Sequence, residues 1–599
     1  MPSLTNPPAT VPAMPAAPAR LPTADHAVAH TLLNCLLREV CGPEHQTACA
    51  GDRLLLWLPR RRVLLGVALR RTSLFGAHRF TGPVCEQTGG GWREVGWWRL
   101  AEYVREELTL RTGAENDEFL DQIASSHRTV SAALATLAEF EAREGAPAAA
   151  AGDRPAQGPD YLRSEQSLPL GHRFHPTPKA CSGRPADWHA YAPEARAAFG
   201  LLLFAVRQEL VAEESADPEA TAALDALGKD VPQGFRLLPV HPWQYELLRG
   251  HPALTAALER GDLVPLGTSP VPFAATASVR TLFDGHTFLK FSLNVRITNC
   301  LRKNARYELS GAVALTRLLA PVLRDLAERF PGCAVLREPA YRSLALPGAD
   351  GAPDVDLLEG FGVIVREGFE RYLLPGTTPL LAAAVADEYP CGPAHLSRLL
   401  RGAGPQAALD WWSAYLELLV PPVLAAYFDH GVVLEPHLQN VLVCVDGDGF
   451  PAQVLFRDLE GTKLVPEHHA SALAVLPPDV AAPMTYDAQR GWDRVVYCLI
   501  VNHVAEMLAV LADLYREHEA DLWARVRATL AGHAARHGCP PQLAALLAGV
   551  PLPAKANLLT RWARKADREA GYVRLPSPLA EEVLTVRGSD DDGTERSAP

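Results

Sequence analysis

Paired cysteines, a basic excess, a long unbroken apolar run and a nucleophile motif are all missing from this sequence, and each absence removes a class of protein. The 11 cysteines are scattered singly, with no C-x-x-C pair. That argues against a disulfide scaffold and a cysteine-rich zinc site, and fits a reducing cytoplasm. Acidic residues outnumber basic ones, 69 to 57, for a formal net charge of -12, whereas a general nucleic-acid binder carries a basic face. The longest apolar runs, such as Leu418 to Phe428, are interrupted by prolines, so no membrane span is expected. Residues 1–22 lack the basic start and apolar core of a targeting segment. No nucleophile elbow or Cys/His signature announces a covalent enzyme nucleophile, no glycine-rich loop precedes Lys290, and no internal repeat is evident.

What remains is an ordinary globular composition, 48% hydrophobic and 21% charged over 599 residues, too long for one core. The patterns predict an α+β chain of several subdomains. Residues 1–25, rich in Pro and Ala, read as a disordered arm. Residues 26–145 read as an α/β subdomain: a helix carrying Val28, Leu32, Leu33 and Leu36, short strands over 52–100, then helix again. An Ala/Gly/Pro-rich stretch makes 146–160 a linker. Residues 161–370 are mixed in pattern, 371–586 mostly helical around a strand pair near Val441–Val445 and Gln453–Phe456, and 587–599 a frayed acidic tail.

Four polar clusters stand out. The loop Gly171–Lys179 sets His172, His175 and Lys179 on a backbone stiffened by Pro176 and Pro178, suited to anions; zinc on His172, His175 and Cys181 is the competing reading. His241-Pro242-Trp243-Gln244 ends an apolar strand, equally suited to packing and to ligand contact. In the third cluster Asp284-Gly285 marks a hairpin. Thr276, Ser278 and Arg280 would share one face of its first strand, and Lys290 lies in its second; the register stays open. The run Thr298-Asn299-Cys300-Leu301-Arg302-Lys303-Asn304 then reads as a helix start capped by Thr298 or Asn299. Arg302 and Lys303 in its first turn would oppose the helix dipole unless an anion binds. The fourth is Glu435-Pro436-His437-Leu438-Gln439-Asn440, followed after an apolar strand pair by Arg457-Asp458. A carboxylate, an Asn and a later Asp at strand ends are how kinase-like folds hold magnesium and nucleotide phosphates. The lone Lys555 in Pro551–Leu558 reads by itself as a snorkelling surface lysine.

Taken in this order, the clusters resemble the aerobactin-synthetase-like (IucA/IucC) family of siderophore synthetases that work without nonribosomal peptide synthetases. The resemblance runs from about Glu165 to Arg561. It rests on the 171–179 loop, His241–Gln244, Ser278-x-Arg280-Thr281, Thr298-Asn299-x-x-Arg302, and Glu435-x-His437-x-Gln439-Asn440 with Arg457-Asp458; Lys555 matches the family's late lysine. It implies a cupped hand of thumb, fingers and kinase-reminiscent palm, often dimeric, that uses ATP and Mg2+ to adenylate a carboxylate, favoured here as citrate. An amine or hydroxyl then forms an amide or ester, with AMP and pyrophosphate released. It further implies that Ser278, Arg280, Thr281, Lys290 and Lys555 contact ATP phosphates and that His172 stabilises charge at the α-phosphate. Thr298, Asn299, Arg302 and His437 would hold the carboxylate, Glu435, Asn440 and Asp458 would hold magnesium, and Gln439 would help seat the nucleotide. The chain departs from the family in the first loop, with Arg173 where Pro is usual and Cys181 where Arg is usual; Arg173 or Arg184 could compensate. The residues alone leave two other classes open, a kinase-like small-molecule phosphotransferase and a non-catalytic citrate- or nucleotide-binding module.

Overall fold

The structure, a computed structural model, describes residues 23–144, 158–228, 230–298, 300–387, 395–400, 402–566 and 569–580. Most of the expected arm, linker and tail, and Asn299, therefore lie outside the described residues. The chain divides into two compact units, each discontinuous in sequence. The first comprises residues 1–131, 170–180 and 555–575; the second comprises 132–169, 181–554 and 576–599.

The first unit opens on the helix Ala24–Leu36, capped by the Thr23 hydroxyl and continued by a π-helical turn, Leu37–Cys41. Five antiparallel strands then follow in sequence order: Thr47–Ala50, Arg53–Leu58, Val63–Arg71, Arg79–Thr88 and Gly91–Glu94. Alternation along Arg53–Leu58 sends Leu54, Leu56 and Leu58 inward. They meet Leu32, Leu33 and Leu36 of the helix, with Leu558 and Trp562 completing the same core.

The second unit is built on a seven-stranded, wholly antiparallel sheet. Its central strands Thr281–Phe283, Phe288–Phe291, Val363–Arg366 and Ala340–Leu344 are buried throughout. A second sheet pairs Cys333–Val335 parallel to Pro451–Phe456, which continues antiparallel to Val441–Val445 and Thr378–Leu381. The α+β class is thus what the structure contains. The expected boundary at residue 370 is not a division of this unit, because the second sheet joins a strand before it to strands after it.

Two helices correct the sequence reading. Pro405–Phe428 runs straight through Pro421 and Pro422, so these prolines interrupt an apolar run without ending the helix. The helical stretch Ala488–Leu514 is, by length and composition, apolar enough to cross a membrane, contrary to the expectation that no segment is. Some 94% of its most apolar window is buried, which makes it a core helix in this fold.

Candidate functional site

The segment Thr276–Arg280 is a tight turn rather than a strand. It joins Phe273–Ala275 to Thr281–Phe283, which pair with each other. The Thr276 hydroxyl donates to the Thr281 carbonyl at 2.7 Å, the Val279 N–H to the Thr276 carbonyl at 2.8 Å, and the Thr281 N–H to Ser278 Oγ at 3.1 Å. Val279 takes a φ of 67°, a costly conformation for a β-branched residue that persists where its surroundings enforce it. Thr276, Ser278 and Arg280 therefore do not share a strand face. Four residues, 284–287, connect the next two strands, so Thr281 lies opposite Lys290.

Lys290 is buried. Its ammonium donates to Asp458 Oδ1 at 2.6 Å and to Glu460. Burial pulls the ammonium toward neutrality, but Asp458, Glu460 and Glu338 outweigh it and hold its pKa above the ordinary lysine value. Asp458 follows the Pro451–Phe456 strand with a φ of 71°. Its Oδ1 also accepts from Arg366 Nη2 at 2.6 Å, and Arg366 is clamped in turn by the buried Glu338. Burial raises the Asp458 carboxyl, yet Lys290 and Arg366 drive it well below the ordinary range.

Arg280 is anchored by one corner. Its Nη1 donates to Asn304 Oδ1 at 2.6 Å and to the Arg302 carbonyl at 3.3 Å. The fully buried Asn304 passes that anchor to the Lys290 and Gly362 carbonyls. Among the described residues, Nε and Nη2 of Arg280 have no protein partner, so an open edge of the guanidinium remains for an anion.

Thr298 and Arg302 do not open a helix. Leu293–Ile297 and Cys300–Arg302 form a hairpin, Thr298 sits in its turn with a φ of 58°, and the helix begins at Arg306 after Ala305. The dipole conflict expected of Arg302 and Lys303 is therefore absent. Lys303 pairs with Asp356 and Glu359, and Arg302 Nη2 donates to Thr298 Oγ1 at 3.1 Å.

Glu435 accepts from Arg494 Nε at 2.8 Å through Oε1. Burial raises its carboxyl, and Arg494 overrides this to hold it below the ordinary value. Asn440 donates its amide to the Glu435 carbonyl at 3.2 Å, while His437 and Gln439 stand half-buried between them. Glu435 Oε2 and Asp458 Oδ2 both lie within 4 Å of the position a Cβ would take at Gly461. The two carboxylates thus converge, each with one oxygen already committed to a cation. Among the described residues no three His, Cys, Asp or Glu side chains are grouped to hold a metal, which removes the zinc reading of His172, His175 and Cys181.

Sequence reasoning missed the buried pair that ties these pieces together. Arg457 donates to Glu165, to Tyr161 Oη at 3.1 Å and to the Gln439 carbonyl at 2.9 Å. Glu165 Oε2 also accepts the Ala277 N–H at 3.0 Å. One carboxylate therefore fastens both the Ser278 turn and the Asp458 segment. The roles of Arg366, Glu338, Glu460 and Asn304 were missed likewise. Arg366 and Glu338 stand at the ends of short apolar runs, whereas Glu460 and Asn304 lie in polar stretches that single out no one residue.

His172 and Lys555 belong to the first unit. His172 is exposed, and its Nδ1 accepts the Phe174 N–H at 3.0 Å, which leaves the neutral ring's proton on Nε2. Lys555 is buried, correcting the surface reading. The Asn557 amide donates to the Phe174 carbonyl at 2.9 Å, Glu39 accepts the Leu558 and Leu559 N–H groups, and Arg38 stacks on Phe174. In the second unit Arg184 is engaged by Asp187, and His241 caps the helix Pro242–Leu248 from a fully buried position; packing is therefore the role His241 shows.

Comparison with known proteins adds relatives. The IucA / IucC family model matches residues 160–387, and a model described as ferric iron reductase FhuF-like transporter matches 409–570. The rhizobactin siderophore biosynthesis protein RhbC of Rhizobium meliloti (strain 1021) is 29% identical over 92% of this chain and 97% of its own length. The L-2,3-diaminopropanoate–citrate ligase of Staphylococcus aureus (strain NCTC 8325 / PS 47) is 33% identical over 70% of this chain and 74% of its own. ATP-bound aerobactin synthetase IucA from a hypervirulent pathotype of Klebsiella pneumoniae shares the fold, with a TM-score of 0.79 and 24% identity over 93% of this chain and 99% of that one.

Proposed function

Because this chain belongs to the IucA/IucC family, we propose that it is an ATP-dependent siderophore synthetase that adenylates a carboxylate, citrate above others, and condenses it with an amine or hydroxyl. A carboxylate oxygen attacks the α-phosphorus, the bond to the β-phosphate breaks, and pyrophosphate leaves. The nucleophile then attacks the acyl carbon, and AMP departs with the bonding electrons. The names of the relatives support citrate as the acid: one is a citrate ligase. The ATP-bound fold relative supports the nucleotide. Assembly as a homodimer and a cytoplasmic setting belong to the same reading.

The feature that supports it most directly is the anchored, half-open Arg280 near the Lys290–Asp458 pair. Arg280 offers a planar fork to phosphate oxygens. Lys290 carries three donors, two of them taken by Asp458 and Glu460, and a third is available to a phosphate. Ser278 accepts through Oγ and can donate its hydroxyl proton to the same group, beside Thr281. Arg302 and Thr298, already linked, would bind the carboxylate with Asn299 and His437. His172 and Lys555 are assigned to phosphate by the family resemblance, and Gln439 to the nucleotide.

Magnesium fits the donor set at Gly461: two hard carboxylate oxygens, from Glu435 and Asp458, with substrate phosphates and water supplying the rest. Asn440 would support that pair. When bound, the ion would neutralise phosphate charge during transfer.

The test is turnover with ATP, citrate and hydroxylamine as a general acceptor. Citryl hydroxamate with stoichiometric AMP and pyrophosphate is expected, and chelation by EDTA should stop it until Mg2+ is restored. Release of ADP would instead favour a phosphotransferase, and tight ATP binding without hydroxamate would favour a binding module.

A further inference from the structure

The long helix under the Glu435–Asn440 loop is not regular. Residues Tyr497–Val504 are π-helical, between α-helical Ala488–Val496 and Ala505–Leu514. A π-helical stretch has poorer backbone geometry than the α-helix it interrupts, and such stretches concentrate where their side chains are used. Here the same helix sends three side chains to one loop. Arg494 holds the Glu435 carboxylate, Asn502 Oδ1 accepts the Leu438 N–H at 3.3 Å, and His503 Nδ1 bonds the Pro436 carbonyl at 2.8 Å.

His503 is fully buried, and its Nε2 meets the Tyr415 hydroxyl at 2.5 Å. Burial lowers its pKa to about 4, against a smaller opposite effect of the Pro436 carbonyl, so the ring is neutral. A neutral imidazole has one donor and one acceptor, and a carbonyl can only accept. Nδ1–H therefore goes to Pro436, and the Nε2 lone pair receives the Tyr415 proton. Both ring nitrogens are satisfied in one tautomer and one orientation, pinned by a tyrosine that is itself fully buried.

We propose that His503 is a positioning residue for nucleotide binding. Through the Pro436 carbonyl it sets the backbone between Glu435 and His437, so that the π-helical turn aims both side chains. This inference rests on the reading of the Glu435–Asn440 segment as the nucleotide- and metal-holding loop. Pro436 has no N–H of its own, and its carbonyl is the atom through which a buried donor can fix this stretch.

The test is calorimetric titration of the full chain with ATP and Mg2+, for wild type, His503→Asn, His503→Gln, Tyr415→Phe and Glu435→Gln. An Asn amide can stand where Nδ1 stands and keep the Pro436 bond; a Gln amide stands nearer Nε2 and cannot. Affinity within about 3-fold of wild type is expected for His503→Asn, and a loss of about 10-fold for His503→Gln, the worth of one buried hydrogen bond. Tyr415→Phe, which frees the ring to turn, should fall between them. Melting temperature is recorded in parallel. Equal affinities for the Asn and Gln variants, or affinity that simply follows melting temperature, would overturn the positioning role. Wild-type affinity in Glu435→Gln would instead overturn the reading of the loop itself, and the His503 proposal with it.

Discussion

Substitution of Lys290 by methionine is expected to lower citryl-hydroxamate formation by roughly 10²–10³-fold, because under the proposed function it removes a fixed cation from where phosphate charge would develop. Methionine keeps the length and apolar fit of the buried stem while deleting the charge. Asp458 and Glu460 then lose their shared ammonium, and breaking a buried ionic contact of this kind costs about 3–5 kcal/mol. Arg366 still holds Asp458 Oδ1, so the lower part of that range is expected in a denaturation midpoint.

The same variant has a signature in pH. The Asp458 carboxyl is depressed in the folded state, so its contribution to stability is present above the ordinary carboxylate range and is lost as the pH falls through the depressed value. The Lys290 pKa is raised, so its contribution is full below the ordinary ammonium value and is lost as the pH rises through the raised one. The pair is therefore at full strength across neutral pH and weakens at both extremes. Without Lys290, the acid loss should be smaller and should finish at higher pH, and the alkaline component should vanish. A variant that kept the wild-type acid limb would show that Lys290 does not hold Asp458 ionised.

The second large effect is expected at Glu165. Alanine there leaves the buried Arg457 guanidinium beside Tyr161 without its carboxylate. It also removes the acceptor for the Ala277 N–H. An uncompensated buried charge costs about 3–5 kcal/mol, read as a lower denaturation midpoint. Glu165→Leu combined with Arg457→Met should regain most of that stability, because no charge is then left unpaired. Activity should not return, since the Ser278 turn and the Asp458 segment would no longer be fastened to one carboxylate. Recovery of activity with stability would mean that Glu165 serves only folding.

How far the site could be read before folding differs residue by residue. The hairpin at Asp284-Gly285 was legible because turn chemistry is local. The Glu435–Asn440 and Asp458 pieces were legible because polar residues closing apolar strands are conspicuous. The Thr298–Asn304 run was misread because a short polar stretch has no period to separate a helix start from a hairpin. The left-handed turn at Thr298 and the helix start at Arg306 distinguish them. The Thr276–Arg280 segment failed similarly, since alternation over so few residues fits a turn as well as a strand. Glu165, Glu338 and Arg366 were not found because their partners lie far along the chain: 292 residues separate Glu165 from Arg457, and 92 separate Arg366 from Asp458.

By itself the sequence determined the mixed class and which short segments gather polar residues at the ends of apolar ones. These follow from composition, period and turn residues within a few positions of one another. The tertiary structure decided that Lys290 meets Asp458, that Arg280 hangs from Asn304 with one edge open, and that a buried histidine holds the Pro436 carbonyl. Such pairings are chosen by the cost of leaving a charge or hydrogen bond unsatisfied in a core, and that cost exists only once distant segments have come together.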